Sequence, residues 1–240
     1  MTDLDIFLLV NAAQSCEALA HTATGQIAFA EELRHTGIAG AALLRRALPD
    51  IVDSNAGTVA RLRMQARLIA AAAKNIAPWS QLASHDSPAL RRVLDERPDA
   101  IAGALIWPWL NAGWDTPERL NRIGQHYRVV DRLGGPLPFG TSESLVLADL
   151  SEIWPGLRVV LDQPVWFRRE GGLTLNLFIE DFRAYSVTFA FSEAVPGRAP
   201  DLLIGSVQGR AGEAMRPLYC DLTKAAHGIR PRDLLIAVLQ

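Results

Sequence analysis

The period of the hydrophobic pattern changes after the segment Gly134-Gly135-Pro136. Before it, apolar residues recur at helical spacing, most clearly from Thr58 to Ile76. Beyond it the pattern turns to alternating apolar and polar residues, the period of a β-strand. This change predicts an α+β chain, with a helical region at residues 1–135 and a mixed β-sheet region at residues 136–240 that together form one continuous core.

Glycine and proline divide the helical region into predicted elements. Two short helices are expected at Gln26–Arg34 and Ile38–Leu48, because Gly37 separates them and Pro49 closes the second. The abundance of Ala and Gly in this stretch favours close helix packing.

Two pairs of residues mark helix starts in the second part of this region. Ser87-Pro88 and Thr116-Pro117 each place a capping hydroxyl before a proline that suits the first helical position. Beyond this region, one more helix is predicted from Ser144 to about Ile153, before the alternating pattern begins.

Four strands are expected in the β region. Two of them should form an antiparallel hairpin that turns at Asp181–Ala184, and the last, nearly all apolar, suits a buried central position. C-terminal helices, after about Gly212 and after Arg230-Pro231, should cover a mostly antiparallel sheet. The predicted strands are Val165–Arg169, Leu173–Glu180, Tyr185–Phe191 and Leu202–Val207.

Composition narrows the class of protein. The formal net charge of −2 provides no global basic field, so DNA binding is not expected. The spacing of the five His residues matches no metal motif, and Cys16 and Cys220 lie too far apart for a CxxC pair, so no metal site is predicted.

Acidic residues precede the short N-terminal apolar run, and no segment of the sequence is apolar over a length that could span a membrane. We therefore expect a cytoplasmic protein with free thiols, at most peripheral to the inner membrane; a disulfide is the alternative for the two cysteines, and the oligomeric state stays open.

The sharpest local feature is the turn between the last predicted strand and the helix that follows. Gln208, Gly209, Arg210 and Gly212 lie in this turn, where backbone amides and the helix dipole favour an anion. These residues are candidates for binding a cofactor. The alternative is that the glycines serve the conformation of the turn alone.

A basic cluster follows near the end of the same helix. Lys224 and Arg230 are its candidate anion-binding residues, and Asp221 and Asp233 partly neutralise it. Favourable placement of cations at a helix C-terminus is the alternative explanation. The cluster contains Thr223, Lys224, His227, Arg230 and Arg232.

Two residues are candidate general bases. His126 lies beside an apolar helical stripe, and its pKa near neutrality suits proton transfer. Glu170 precedes Gly171-Gly172 and is a second candidate. A structural role for His126 and a solvated turn position for Glu170 are the alternatives.

The sequence resembles VirK/YbjX-type bacterial proteins over residues 95–240. The resemblance rests on Glu170-Gly171-Gly172-Leu173-Thr174-Leu175, Leu203-Ile204-Gly205-Ser206-Val207-Gln208-Gly209 and His227-Gly228-Ile229-Arg230-Pro231-Arg232. It implies an association with virulence, the cell envelope and tolerance of antimicrobial peptides, and it identifies no reaction. Members of that family usually continue past the segment matching Arg230–Arg232, whereas this sequence ends at Gln240.

The strand-turn-helix at Ile204–Ala214 is also similar to the pyrophosphate loop of GNAT-type acyltransferases. That resemblance implies a GNAT-like fold and an acyl or aminoacyl transferase acting on a small-molecule amine. A coenzyme A thioester or aminoacyl-tRNA would be the donor, and tRNA would then be a partner. The alternative is a non-catalytic accessory protein at the bacterial envelope.

Overall fold

The computed structural model describes residues 23–51, 57–135, 137, 140–163, 169–193 and 199–240, with side chains from residue 37 onwards. These residues form an α+β fold in which helices precede one antiparallel sheet and further helices follow it. They divide into two compact units. One contains the residues up to Pro108 with Gly113–Arg128, and the other contains Trp109–Ala112 with Val129–Gln240. The predicted domain bounds stay a prediction.

Helices account for nearly all the regular structure before the sheet. None of the helices among the described residues is long and apolar enough to cross a membrane. The helices are α1 (Ala23–Ile51), α2 (Thr58–Lys74), α3 (Ile76–Ala83), α4 (Pro88–Glu96), α5 (Pro98–Ala102), followed by a 3₁₀ turn at Gly103–Leu105, and α6 (Thr116–Leu133).

The division of α1 into two short helices is wrong, because the helix continues through Gly37 and Pro49. Its buried stripe, which includes Leu44 and Ala47, extends from residue 40 to Ile51, and this burial outweighs the low helix propensity of glycine and proline. The expected close packing is confirmed, since the indole nitrogen of Trp79 donates to the Gly40 carbonyl at 2.9 Å.

The predicted helix starts are confirmed, with one change of cap. The Ser87 hydroxyl accepts from the Leu90 amide at 3.0 Å, and Pro88 is the first residue of α4. At α6 the cap is the Asp115 carboxylate, which accepts from the Glu118 amide at 2.9 Å. The hydroxyl of Thr116, the predicted cap, instead accepts from the Arg119 guanidinium at 2.6 Å.

The sheet is a meander in which each strand pairs with the next in sequence. The hairpin of the third and fourth strands is confirmed, but the predicted turn at Asp181–Ala184 is wrong, because β4 already begins at Phe182 and the turn is the pair Glu180-Asp181. The predicted strand Val165–Arg169 lies largely outside the described residues. The strands are β1 (Ser144–Asp149), β2 (Leu157–Asp162), β3 (Leu173–Ile179), β4 (Phe182–Ser192) and β5 (Asp201–Gly209).

Two predictions in this region are wrong. The segment beginning at Ser144 is strand β1 rather than a helix, because it pairs antiparallel with β2 along its length. Among the described strands, the apolar strand β5 lies at the edge of the sheet and pairs only with β4. Several of its residues are partly exposed, Ile204 by 46 %. A continuous apolar run therefore did not mark a central strand here.

Directly paired residues of an antiparallel sheet lie on the same face, so the register separates two faces. One face is apolar, with Leu175 and Leu177 paired to Val187 and Tyr185. Helices α7 (Met215–Ala225) and α8 (Pro231–Leu239) follow the sheet, and α8 packs on β3 and β4. The C-terminal helices that were predicted to cover the sheet are thus present.

The other face carries a row of polar residues that crosses all five strands in register. Thr174 and Thr188, at its centre, are fully buried, and their hydroxyl oxygens are 3.3 Å apart. Arg183 reaches the row and forms an ion pair of 2.7 Å with Asp162. Burial raises the pKa of Asp162, although the guanidinium opposes this shift. The row is Ser144, Asp162, Thr174, Thr188 and Ser206.

Candidate functional site

A cavity of about 710 Å³ lies on the apolar face, among the end of β5, helix α7 and the start of α8. All its lining residues belong to the second unit. They are Tyr185, Arg210, Ala211, Gly212, Met215, Arg216, Tyr219, Cys220, Thr223, Lys224, Arg230, Pro231 and Arg232. The volume suits a small molecule or cofactor, since such sites commonly enclose several hundred cubic ångströms.

One stripe of α7 forms the long wall of the cavity. Its members follow the spacing i, i+3, i+4, i+7 and i+8, which places them on a single face of the helix. Between the first and last of them the helix rises about 12 Å, at 1.5 Å per residue. The stripe consists of Arg216, Tyr219, Cys220, Thr223 and Lys224.

Two tyrosines form the middle of the site. The rings of Tyr185 and Tyr219 meet edge to face, with centroids 5.8 Å apart. The Tyr219 hydroxyl donates to the Ala184 carbonyl at 2.6 Å, and burial raises the pKa of this phenol. Gly209 makes the arrangement possible: a Cβ there would lie 2.5 Å from Cε2 of Tyr185 and 3.2 Å from the Tyr219 oxygen. The wall is therefore uncharged and aromatic at its centre.

The turn after β5 brings backbone donors to one end of the cavity. The Arg210 amide is already used, because it donates to the Ala184 carbonyl at 3.0 Å. Among the described residues, the amides of Ala211, Gly212, Glu213 and Ala214 have no hydrogen-bond partner. Ala211 and Gly212 line the cavity directly. Free amides beside a cavity and before a helix are suited to an anion.

The charges that line the cavity are all positive: five basic side chains and no carboxylate. Two of the five are paired, Lys224 with Asp221 at 2.9 Å and Arg232 with Asp233 at 2.9 Å. The hydrogen bond from Lys224 to Asp221 raises the pKa of the lysine. These pairs confirm the expected partial neutralisation of the basic cluster.

The remaining three guanidinium groups are available to a ligand. Arg210 lies over the ring of Phe182, 4.8 Å from its centroid. Arg216 and Arg230 form no ion pair or hydrogen bond through their side chains with any described residue. An anion in the cavity could therefore accept hydrogen bonds from these guanidinium groups without displacing an ion pair within the protein.

The structure brings together four of the six residues predicted to bind a cofactor. Arg210, Gly212, Lys224 and Arg230 line the cavity, and Gly209 lies directly behind its two tyrosines. Gln208 does not line it. This residue pairs with Ser186 and therefore lies on the polar face of the sheet, opposite to the face of Tyr185.

Glu170 also lies apart from the cavity. Its carboxylate accepts a hydrogen bond from the side-chain amide of Gln208 at 3.1 Å. Neither residue is among those lining the cavity. The two thus form a separate polar contact at the β5 end of the sheet.

His126 belongs to the first unit, on α6, and is fully buried. Its ring meets that of Tyr127 edge to face, with centroids 4.8 Å apart. Burial lowers the pKa of His126 to about 3. The imidazole is neutral at physiological pH and no ligand can touch it while the surrounding structure stays closed. Its role as a general base stays a prediction.

Sequence reasoning missed the aromatic and cysteine components of the cavity. Arg216, Tyr219, Cys220 and Lys224 stand at positions i, i+3, i+4 and i+8, a helical spacing that would have placed them on one face of α7. Tyr185 could be found only through the register of β4 with Gly209. Cys220 is an exposed free thiol, and Cys16 lies outside the described residues.

A family model described as "Protein of unknown function (DUF535)" matches residues 57–240. No curated protein matches the chain, and neither does any solved structure. The match covers more than three quarters of the sequence and includes both the sheet and the cavity. DUF535 is the VirK/YbjX family, so the resemblance to such proteins is confirmed. The chain belongs to the DUF535 family.

Proposed function

We propose that the chain binds the phosphate groups of an acyl donor in this cavity and transfers the acyl or aminoacyl group to an amine. The observation that carries the proposal is the combination of five basic side chains, no lining carboxylate and free turn amides around one cavity. A coenzyme A thioester and aminoacyl-tRNA both provide such phosphates. The GNAT-like similarity of the turn adds to the proposal by analogy only.

In the proposed reaction the amine nitrogen bonds to the donor's carbonyl carbon. The bond from that carbon to sulfur in a thioester, or to oxygen in an aminoacyl ester, then breaks. The leaving thiolate or alkoxide takes a proton, and a base removes one from the attacking amine. Holding the donor by its phosphates fixes the carbonyl relative to the amine, and such positioning is a large contribution to rate.

The two candidate bases differ in location and exposure. Glu170 belongs to the same unit as the cavity and is partly exposed, whereas His126 is buried in the other unit. Neither residue lines the cavity, so the proposal assigns the proton acceptor to neither of them.

Thermal-shift and calorimetric titrations with coenzyme A, acetyl-coenzyme A and an aminoacyl-tRNA test the donor site. We expect binding that weakens at least several-fold in Arg210→Gln, because a charge-assisted contact is lost. Arg61→Gln, an exposed change on α2, is the matched control and should bind like the wild type. Absence of binding at millimolar ligand contradicts the proposal.

The accessory role remains a second proposal. The observation that favours it is the exposure of large apolar side chains in the second unit, such as Ile229 by 49 % and Val238 by 41 %. An accessory protein at the envelope would bind liposomes or a protein partner through such residues. Failure to bind liposomes, together with binding of an acyl donor, would decide for the transferase.

A further inference from the structure

Four of the five cations that line the cavity fall into two groups, one at each end of α7, and the fifth, Arg232, lies on α8 and is paired with Asp233. Arg210 and Arg216 lie with the free amides of the turn at the N-terminal end. Lys224 is in the last turn of the helix, and Arg230 follows the tight turn that ends it. Arg216 and Lys224 are separated by about 12 Å of helix rise. The two groups therefore provide two places at which an anionic group can be held.

The wall between the two groups carries no charge. Tyr219, Cys220 and Thr223 occupy it on α7, and Tyr185 faces it from β4. The Thr223 hydroxyl is already bonded to the Tyr219 carbonyl at 2.6 Å, so it adds little polarity. This middle section suits a flat or apolar part of a ligand, since aromatic side chains stack on nucleobases.

We infer that the cavity binds a nucleotide with two separate phosphate groups, one at each end of α7 and its base or ribose against the tyrosines. The inference rests on the proposed function and specifies the ligand that the same site takes. Coenzyme A has this chemistry, with a pyrophosphate and a ribose 3′-phosphate. The 3′ end of an RNA has it too, with successive backbone phosphates around its bases.

Arg216 and Arg230 are suitable probes of the two ends. Both are exposed and neither side chain forms an ion pair with a described residue, so a change to glutamine breaks no internal bond. The stability of Arg216→Gln and Arg230→Gln should therefore match that of the wild type, and thermal unfolding checks this. Arg61→Gln on α2 serves again as the control far along the chain.

Calorimetry compares coenzyme A with 3′-dephospho-coenzyme A, which lacks only the ribose phosphate. The wild type should bind coenzyme A roughly tenfold to a hundredfold more tightly, the usual effect of one charged hydrogen-bonded contact. Arg230→Gln should abolish this preference. Arg216→Gln should weaken both ligands by a similar factor and keep the preference, and Arg61→Gln should change neither.

A 5′-phosphorylated CCA trinucleotide distinguishes the source of the nucleotide. Tighter binding of the trinucleotide than of coenzyme A, with losses in both arginine variants, assigns the site to an RNA end. Equal affinity for coenzyme A and its dephospho form, combined with no binding of the trinucleotide, overturns the two-phosphate inference but leaves a single anion site and the proposed donor. If none of the three probes binds, the proposed function fails together with the inference.

Discussion

At the scale of single residues, His126 and His227 lie in opposite environments. His126 is fully buried on α6, whereas His227, after α7, is exposed. Burial lowers the pKa of His126 from 6.5 to about 3 because the charged imidazolium loses its hydration. Between these two values the unfolded chain binds more protons than the folded protein, so this residue makes stability fall as the pH falls.

We expect the free energy of unfolding to drop by about 2 kcal/mol from pH 7 to pH 5 through His126 alone. Urea unfolding at both pH values measures the drop. The variants His126→Phe and His126→Gln should each lose that part of the pH dependence, whatever their absolute stability. His227→Gln is the control and should retain it. A wild-type pH dependence in both His126 variants would show that the imidazole is accessible to protons in the folded state.

Glycine acts at the residue scale where two rings approach the backbone. Gly209 leaves the room that Tyr185 and Tyr219 occupy beside the cavity, because a Cβ at this position would come within 2.5 Å of the Tyr185 ring. From the sequence, Gly209 was expected either to allow the conformation of the turn or to contact a ligand. The structure instead assigns Gly209 to side-chain packing, which shapes the cavity from behind.

At the scale of elements, the start of α6 tests how local capping operates. The Asp115 carboxylate accepts from the Glu118 amide at 2.9 Å and satisfies a donor that the helix itself cannot. We expect Asp115→Ala to lower the free energy of unfolding by about 1 kcal/mol. Asp115→Asn should be close to the wild type, since an amide oxygen can accept the same bond. Equal losses in the two variants, measured by urea unfolding, would contradict the capping role.

Elements with their own local signals were predicted well from the sequence. Ser87-Pro88 fixed a helix start through one hydrogen bond and one constrained dihedral, and the alternation from Leu173 to Phe191 identified a hairpin. Both are interactions between residues that are close in sequence. The period of the pattern was enough to find them.

Elements whose structure depends on partners that are distant in sequence were not predicted correctly. Ser144–Asp149 is a strand because β2 provides its hydrogen-bond partners, and this pairing cannot be inferred from the residues of the segment itself. The edge position of β5 depends on the order of all five strands. The polar row from Ser144 to Ser206 was likewise not predicted, because polar residues that alternate along a strand normally indicate an exposed face. Here Thr174 and Asn176 are fully buried.

At the scale of the whole molecule, the site was only partly predictable. The turn residues Arg210 and Gly212 and the basic residues Lys224 and Arg230 were expected in two separate motifs, and folding places both around one cavity. Of the two tyrosines at the centre of the cavity, Tyr219 lies on α7, whereas Tyr185 comes from β4, outside both motifs. Gln208 was assigned to the turn, but the register of the edge strand places it on the polar face. A shift of one residue in the register moves a side chain to the other face of the sheet, so the sequence alone could not predict the face on which Gln208 lies.

The proposed activity depends on an anion entering the cavity beside α7. A crystal structure of the protein with coenzyme A tests this directly. We predict electron density for the pyrophosphate within hydrogen-bonding distance of the amides of residues 211–214, and for the ribose phosphate beside Arg230. Density for the ligand elsewhere on the molecule, with the cavity occupied only by solvent at saturating coenzyme A, would contradict the proposed activity.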